Sequence, residues 1–155
     1  MRESRRKRVA LLIESSRAYG REVLLGISQF AREHRNWSIV FEEWRWTDEP
    51  PAWLRHWSGD GIIARIENRQ TAKAVLHSKV PVVDVRGSVP GINVPLIDTD
   101  DRRVARMAAE HLLERGFRCF AYCGFNGANY SDKRCKWFQE RLSESGFECD
   151  VYAPP

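Results

Sequence analysis

The chain has 155 residues, 43% of them hydrophobic, enough for a folded domain with its own core and too apolar for a disordered chain. Its formal charge of +4 comes from 25 Lys and Arg against 21 Asp and Glu. Five of those cations (Arg2, Arg5, Arg6, Lys7, Arg8) and one acid (Glu3) fall in the first eight residues, which leaves 20 of each sign in the body. A balanced body lacks the net basic excess of a nucleic-acid-binding domain, and the basic start reads as a solvated tail over residues 1–8.

No apolar run approaches the roughly 20 residues of a membrane span. The basic start leads into only about five apolar residues, short of the roughly seven of a secretory h-region, so a cytoplasmic location is the expectation. Val9-Ala10-Leu11-Leu12-Ile13 predicts the first strand, and Val23, Ile27 and Phe30 share one face of the helix that follows. Between them lies "ESSRAYGREVLLG", a polar connection longer than a minimal link. "WSIVFEEW" predicts a second strand over Trp37 to Glu43. A short helix follows Pro50-Pro51, with Trp53, Leu54 and Trp57 on one side.

"GDGIIARI" predicts a third strand, "NRQTAKAVLHSK" a helix, "VPVVDVRG" a fourth strand and "INVPLIDTD" a fifth. The next helix starts on Asp100 as N-cap, with Val104, Ala108 and Leu112 spaced by four and Gly116 as its stop. "RCFAYCG" predicts a sixth strand. A helix opens at Ser131 and stops at Gly146, and a seventh strand starts in "FECDVYAPP". Alternation with short links predicts an α/β fold whose mainly parallel sheet is covered on both faces. The strands change from Val, Ile and Leu to Cys, Phe and Tyr near Gly116. That change suggests a division into residues 9–116 and 117–155, with the crossing at Gly116 to Arg118.

Cys119, Cys123, Cys135 and Cys149 lack the spacing of a zinc site, and His34, His56, His77 and His111 are scattered. Reduced, mostly buried thiols are expected, with no metal. The nicotinamide fingerprint, the phosphate-loop lysine, the G-x-S-x-G elbow and H-E-x-x-H are all absent, so no cofactor and no catalytic constellation is expected.

Parallel α/β sheets bind ligands beyond the carboxyl ends of their strands. Those ends carry Glu14, Ser15, Ser16, Arg17 and Tyr19; Glu42, Glu43, Trp44 and Trp46; Arg65 and Glu67; Arg86; Thr99 and Asp100; and Asn126, Asn129 and Arg134. Acceptors mixed with arginine donors and aromatic rings suit a neutral polyhydroxylated ligand, whose hydroxyls both donate and accept. The same loops are polar in any soluble protein, Asp100 is explained as a cap, and packing is the commoner role of the tryptophans. A doubly wound enzyme acting on a sugar or nucleotide-sugar, and a transport-type sugar-binding protein, are the alternatives.

Six segments carry a resemblance: "RVALLIESSRAYGREVLLGI", "WSIVFEEW", "WLRHWSGDGIIARI", "VPVVDVRGS", "IDTDDRRVARMAAEHLLERGFRCFAYCG" and "RCKWF". In order and spacing the chain resembles the periplasmic-binding-protein-like sensor domains of LacI-type and ribose-binding-type proteins. Among these it is most similar to the N-terminal half of xylose operon regulators, which are AraC-type transcription activators. The resemblance implies a type I fold with a sugar, xylose or a similar monosaccharide, in a cleft between two subdomains. It places ligand contacts on Tyr19, Arg86, Asp100 and Arg134, adds Arg17 and Arg65, and matches Phe138 to the R-x-x-x-F pattern. Many sugar binders of this family have an acidic group where Arg86 stands. It further implies a homodimer, with Leu25 on the first helix as one contact, and DNA binding through helix-turn-helix motifs absent from this chain. The chain then reads as a fragment or a truncated gene product.

Overall fold

The computed structural model describes residues 5–45, 49–125 and 127–152; residues 1–4 of the basic start, Trp46 and Asn126 lie outside them. By contacts the chain forms two units, Met1–Asp98 and Thr99–Pro155. The compositional change near Gly116 falls inside the second unit.

The first unit holds β1 (Lys7–Leu12), α1 (Ala18–His34), β2 (Trp37–Phe41), a short 3-10 helix (Ala52–His56), β3 (Gly61–Ala64), α2 (Arg69–His77) and β4 (Val82–Asp84). The four strands form one parallel sheet in the order β2-β1-β3-β4. Val9 lies beside Ile39 on one side and Gly61 on the other, and Ile62 beside Val82.

The alternation of β1 divides its side chains between two cores. Ala10 and Leu12 join Leu54, Ile62, Ala64, Ala72, Val75 and Val82, the face covered by α2 and the 3-10 helix. Val9, Leu11 and Ile13 join Val23, Leu24 and Ile27 of α1 on the opposite face. The sheet is therefore covered on both faces, as alternating strands and helices predict.

"INVPLIDTD" departs from its predicted strand. It makes one isolated parallel bridge, Leu96 to Asp84. Pro95 can accept from Asp84 N but has no N–H to extend a ladder, and Gly91 just before it turns at φ +80°.

The second unit holds α3 (Asp101–Glu114), β5 (Ala121–Cys123), α4 (Asn129–Ser143) and β6 (Asp150–Tyr152), with β5 and β6 paired in parallel. Asp100 Oδ1 accepts from Arg103 N at 2.9 Å, the predicted cap, and Gly116 follows α3 at φ +81°. The buried stripe of α3 is one position off the predicted one. Ala105 and Ala109 meet Phe138 and Leu142 of α4, while Val104 and Met107 face outward. Helix α4 begins two residues before Ser131, whose hydroxyl instead accepts from Phe125 N at 2.9 Å and ties down the preceding loop. Six strands are therefore present among the described residues rather than seven.

All four cysteines are free and none is buried: Cys119 and Cys123 are exposed, Cys135 and Cys149 half-buried. The expectation of mostly buried thiols is corrected here, because every residue of β6 and two of three in β5 are open to solvent. Among the described residues no helix is long and apolar enough to cross a membrane.

Candidate functional site

Strand order fixes where a ligand can sit. From β1 the chain crosses over α1 to β2 on one side, then returns to β3 on the other side. The two connections leave the sheet in opposite directions, so their loops part at the carboxyl ends of β1 and β3.

The loop after β1 is shaped by a close approach. Gly20, in the first turn of α1, is buried, and a Cβ there would collide with the carbonyl of Glu14. Only glycine lets the helix start this near the strand end. Arg21 donates to the carbonyls of Ser15 (3.0 Å) and Ser16 (2.8 Å), and Ser16 Oγ donates to Glu14 Oε1 at 2.6 Å. Glu14 is thereby held nearly buried, at 6% exposure.

Tyr19 crosses from this loop toward β4. Its hydroxyl donates to the Val85 carbonyl at 2.9 Å, and its ring lies 5.7 Å from the Arg65 guanidinium carbon. Burial pushes the Tyr19 phenol above its ordinary value of 10, aided by the Asp98 carboxylate and opposed by Arg65 and Arg86.

Arg65, directly after β3, is the most unusual charge in the unit, at 4% exposure. Its Nε lies 2.7 Å from Glu67 Oε1, and its Nη1 lies 3.9 Å from Glu14 Oε2. The short contact is an ion pair without an aligned N–H: Arg65 Nε and Nη1 and Glu14 Oε2 are all buried and lack a hydrogen-bond partner. Glu67 divides its carboxylate, because its Oε2 takes Arg86 Nε at 3.2 Å and Ser88 Oγ at 3.1 Å. A row of alternating charge results, Glu14, Arg65, Glu67, Arg86, running across the ends of β1, β3 and β4.

Asp84 supports this row from beneath. It is 1% exposed, and its Oδ1 accepts from Ile66 N and Arg86 N while its Oδ2 accepts from Gly87 N, at 3.0–3.1 Å. Burial pushes its carboxyl above the ordinary aspartate range, against the pull of those three donors. The side chain thereby fixes the backbone on which Arg86 is carried.

The predicted site residues thus separate. Tyr19, Arg65 and Arg86 come together. Arg17, the N-cap position of α1, makes no side-chain cap and points to solvent. In the second unit Asp100 is occupied as the α3 cap, and Arg134 Nε pairs with the buried Asp101 Oδ1 at 2.7 Å, its guanidinium 5.2 Å from the Tyr130 ring. Phe138 belongs to the core of that unit.

Trp44, Trp53 and Trp57 are packing residues. Trp44 is 4% exposed in the core, Trp53 Nε1 donates to Glu42 at 2.6 Å, and Trp57 stacks edge-on against Trp53. Asp84 and Ser88 were not named among the strand-end residues, and Glu14 and Glu67 were named there without being counted as ligand contacts. The available signal was a carboxylate interrupting or ending an apolar strand, as in "LLIES" and "VVDVR".

A surface groove of about 410 Å³ between the 3-10 helix and α2, lined by Arg55, Lys73 and His77, holds none of these residues. Among the described residues no three metal-ligating side chains converge.

The family model described as the XylR N-terminal domain matches residues 8–110, about two thirds of the chain. The chain belongs to this family. The xylose operon regulatory protein of Escherichia coli K12 is 29% identical over 96% of the chain, and that of Haemophilus influenzae 27% identical over 94%. The chain spans only 40% and 39% of those relatives' lengths.

Solved structures show the same fold. A periplasmic binding protein/LacI transcriptional regulator from Alkaliphilus metalliredigens, complexed with D-xylulofuranose, has a TM-score of 0.70 at 20% identity, over 94% of this chain and 56% of that one. A periplasmic ribose ABC transporter protein from Conexibacter woesei reaches 0.75 at 17% identity, over 96% and 54%. These relatives are named as regulators and binding proteins, and the fold they share is the periplasmic-binding-protein-like α/β fold.

Proposed function

We propose that this chain is the effector-binding part of a sugar-responsive transcription regulator, and that its effector is a neutral monosaccharide, xylose or a close relative. The observation that carries the reading is the buried Arg65, short of hydrogen-bond partners, beneath Tyr19 at the switch point of the sheet in a chain of this family. Burying a cation costs several kcal/mol unless it is paired and hydrogen-bonded, so a charge kept in this state at a strand end is better explained by a binding role than by stability. The row of paired charges is electrically balanced, which favours a neutral ligand. Each sugar hydroxyl donates to Glu14 or Glu67 and accepts from Arg65 or Arg86, while a C–H face lies on Tyr19. Arg17, and in the second unit Asp100 and Arg134, are proposed as contacts on the family resemblance alone.

The module performs no catalysis. The sugar acts by binding one arrangement of the regulator more tightly than another, so the occupied population shifts. DNA is read by helix-turn-helix elements not contained in this sequence, in a cytoplasmic homodimer; Leu25, 57% exposed on α1, is one candidate contact of that dimer. Calorimetry of the intact protein against D-xylose, D-xylulose, D-ribose and D-glucose tests the reading. Binding of at least one pentose is expected. Absence of both heat and thermal shift with every sugar at millimolar concentration overturns it.

A further inference from the structure

A second concave site lies away from the strand ends. The groove of about 410 Å³ between the 3-10 helix and α2 carries Arg55 on one wall and Gln70, Lys73 and His77 on the other. The three α2 residues recur at spacings of three and four, so the helix turns them to one side. Neither wall has an acid of its own: the 3-10 helix reads AWLRH and α2 reads RQTAKAVLH. Among the described residues neither Arg55 nor Lys73 makes an ion pair, whereas Arg65, Arg106, Arg134 and Arg141 each have a carboxylate partner. A lone unpaired surface cation means little. Two of them beside an imidazole in one concavity raise the local positive potential and draw an anion.

The rest of the lining narrows the class of anion. Pro50, Pro51 and Ala74 add apolar surface, and Glu49 adds a carboxylate. A bare inorganic anion is repelled by Glu49 and gains nothing from the prolines. A molecule with a phosphate at one end and hydroxyl and C–H groups at the other uses the whole lining. The volume lies within the roughly 300–1,000 Å³ of small-molecule sites.

We propose that this groove is a binding site for a phosphorylated sugar, separate from the strand-end site. Arg55 and Lys73 donate charge-assisted hydrogen bonds to the phosphate oxygens, Gln70 and His77 add N–H donors, and Glu49 accepts from a sugar hydroxyl. The groove shares no residue with Tyr19, Arg65 or Glu67, so it can fill whether or not a neutral sugar binds at the strand ends.

Calorimetry of the intact protein at low ionic strength compares D-ribose 5-phosphate with inorganic phosphate, in the presence of saturating D-xylose. D-ribose 5-phosphate should bind about tenfold or more tighter than inorganic phosphate. Arg55→Gln and Lys73→Gln, both at exposed positions, should each weaken it by about tenfold, the weight of one charge-assisted hydrogen bond, and leave D-xylose binding as in wild type. Glu49→Gln should narrow the preference for D-ribose 5-phosphate over inorganic phosphate. No binding of D-ribose 5-phosphate at millimolar concentration, equal affinity for inorganic phosphate, or undiminished affinity in both cation variants overturns the assignment. A duplex oligonucleotide or an acidic peptide that displaces D-ribose 5-phosphate at lower concentration also overturns it, since the cations then serve a macromolecule. Failure of D-xylose itself to bind removes the effector reading and leaves the groove untouched.

Discussion

The two edges of the four-stranded sheet treat charge in opposite ways. At the amino edge, Asp60 collects Arg8 N (2.8 Å), Arg5 Nη2 (2.6 Å) and Lys7 Nζ (3.6 Å), and the Arg5 and Lys7 side chains are 71% and 60% exposed. Such pairs are screened by water and contribute little. At the carboxyl edge the Glu14 and Arg65 side chains are 7% and 5% exposed and partly unsatisfied. A buried, imperfectly bonded pair is a poor way to stabilise a protein, since desolvation offsets much of the attraction. Its presence at the edge where this fold binds ligands points to binding rather than to stability.

The contrast can be broken by mutation. Arg65→Ala leaves Glu14 buried without its cation and should destabilise the protein by about 3–5 kcal/mol, read by urea denaturation. A loss below about 1 kcal/mol would show that the pair is solvated in solution. Gly20→Ala forces a methyl against the Glu14 carbonyl and should cost about 1–3 kcal/mol by the same assay. An unchanged midpoint there removes the close approach of α1 to β1.

Asp84→Asn replaces an acceptor facing Gly87 N by an amide and should cost about 1–3 kcal/mol. It also carries a pH signature. The folded carboxyl is pushed above its unfolded value, chiefly by burial, so the fold holds this proton more firmly than the unfolded chain does. The contribution is complete below the unfolded pKa, near 4, and is lost as pH rises through the folded one. Denaturation midpoints taken upward from that pH should show this fall in wild type and lack it in the variant. The smallest effect belongs to the amino edge, where Asp60 lies at the surface with its carboxyl held below the ordinary range, first by the Arg8 N–H. Asp60→Asn should leave the denaturation midpoint nearly unchanged, and a loss as large as that of Arg65→Ala would erase the distinction between the edges.

Much of the fold was legible because the unbroken apolar run of β1 suits a strand buried on both faces, and the helical spacing of Val23, Ile27 and Phe30 gives α1 one face to lay on the sheet. The fifth segment was not, because Pro95 reads locally as part of an extended run while its missing N–H matters only beside β4. The stripe of α3 was misplaced by one position since Val104 and Ala105 are both apolar, and only the packing of α4 chooses between them. At the site, Tyr19, Arg65 and Arg86 were legible as strand-end residues. The pairing that makes them a unit was not, because Glu67 meets Arg86 across 19 residues and Glu14 meets Arg65 across β1 and β3. The conflict between buried charge and incomplete hydrogen bonding exists only once the strands are side by side.

The most direct measurement sets the two edges against each other. D-xylose is titrated calorimetrically into the intact protein, into Tyr19→Ala and into Asp60→Asn. Tyr19→Ala should lose affinity by about tenfold or more, through the lost ring contact and the loosened Arg65, while Asp60→Asn binds as wild type does. Undiminished binding by Tyr19→Ala, or loss of binding in Asp60→Asn alone, would contradict the assignment of the sugar to the carboxyl edge.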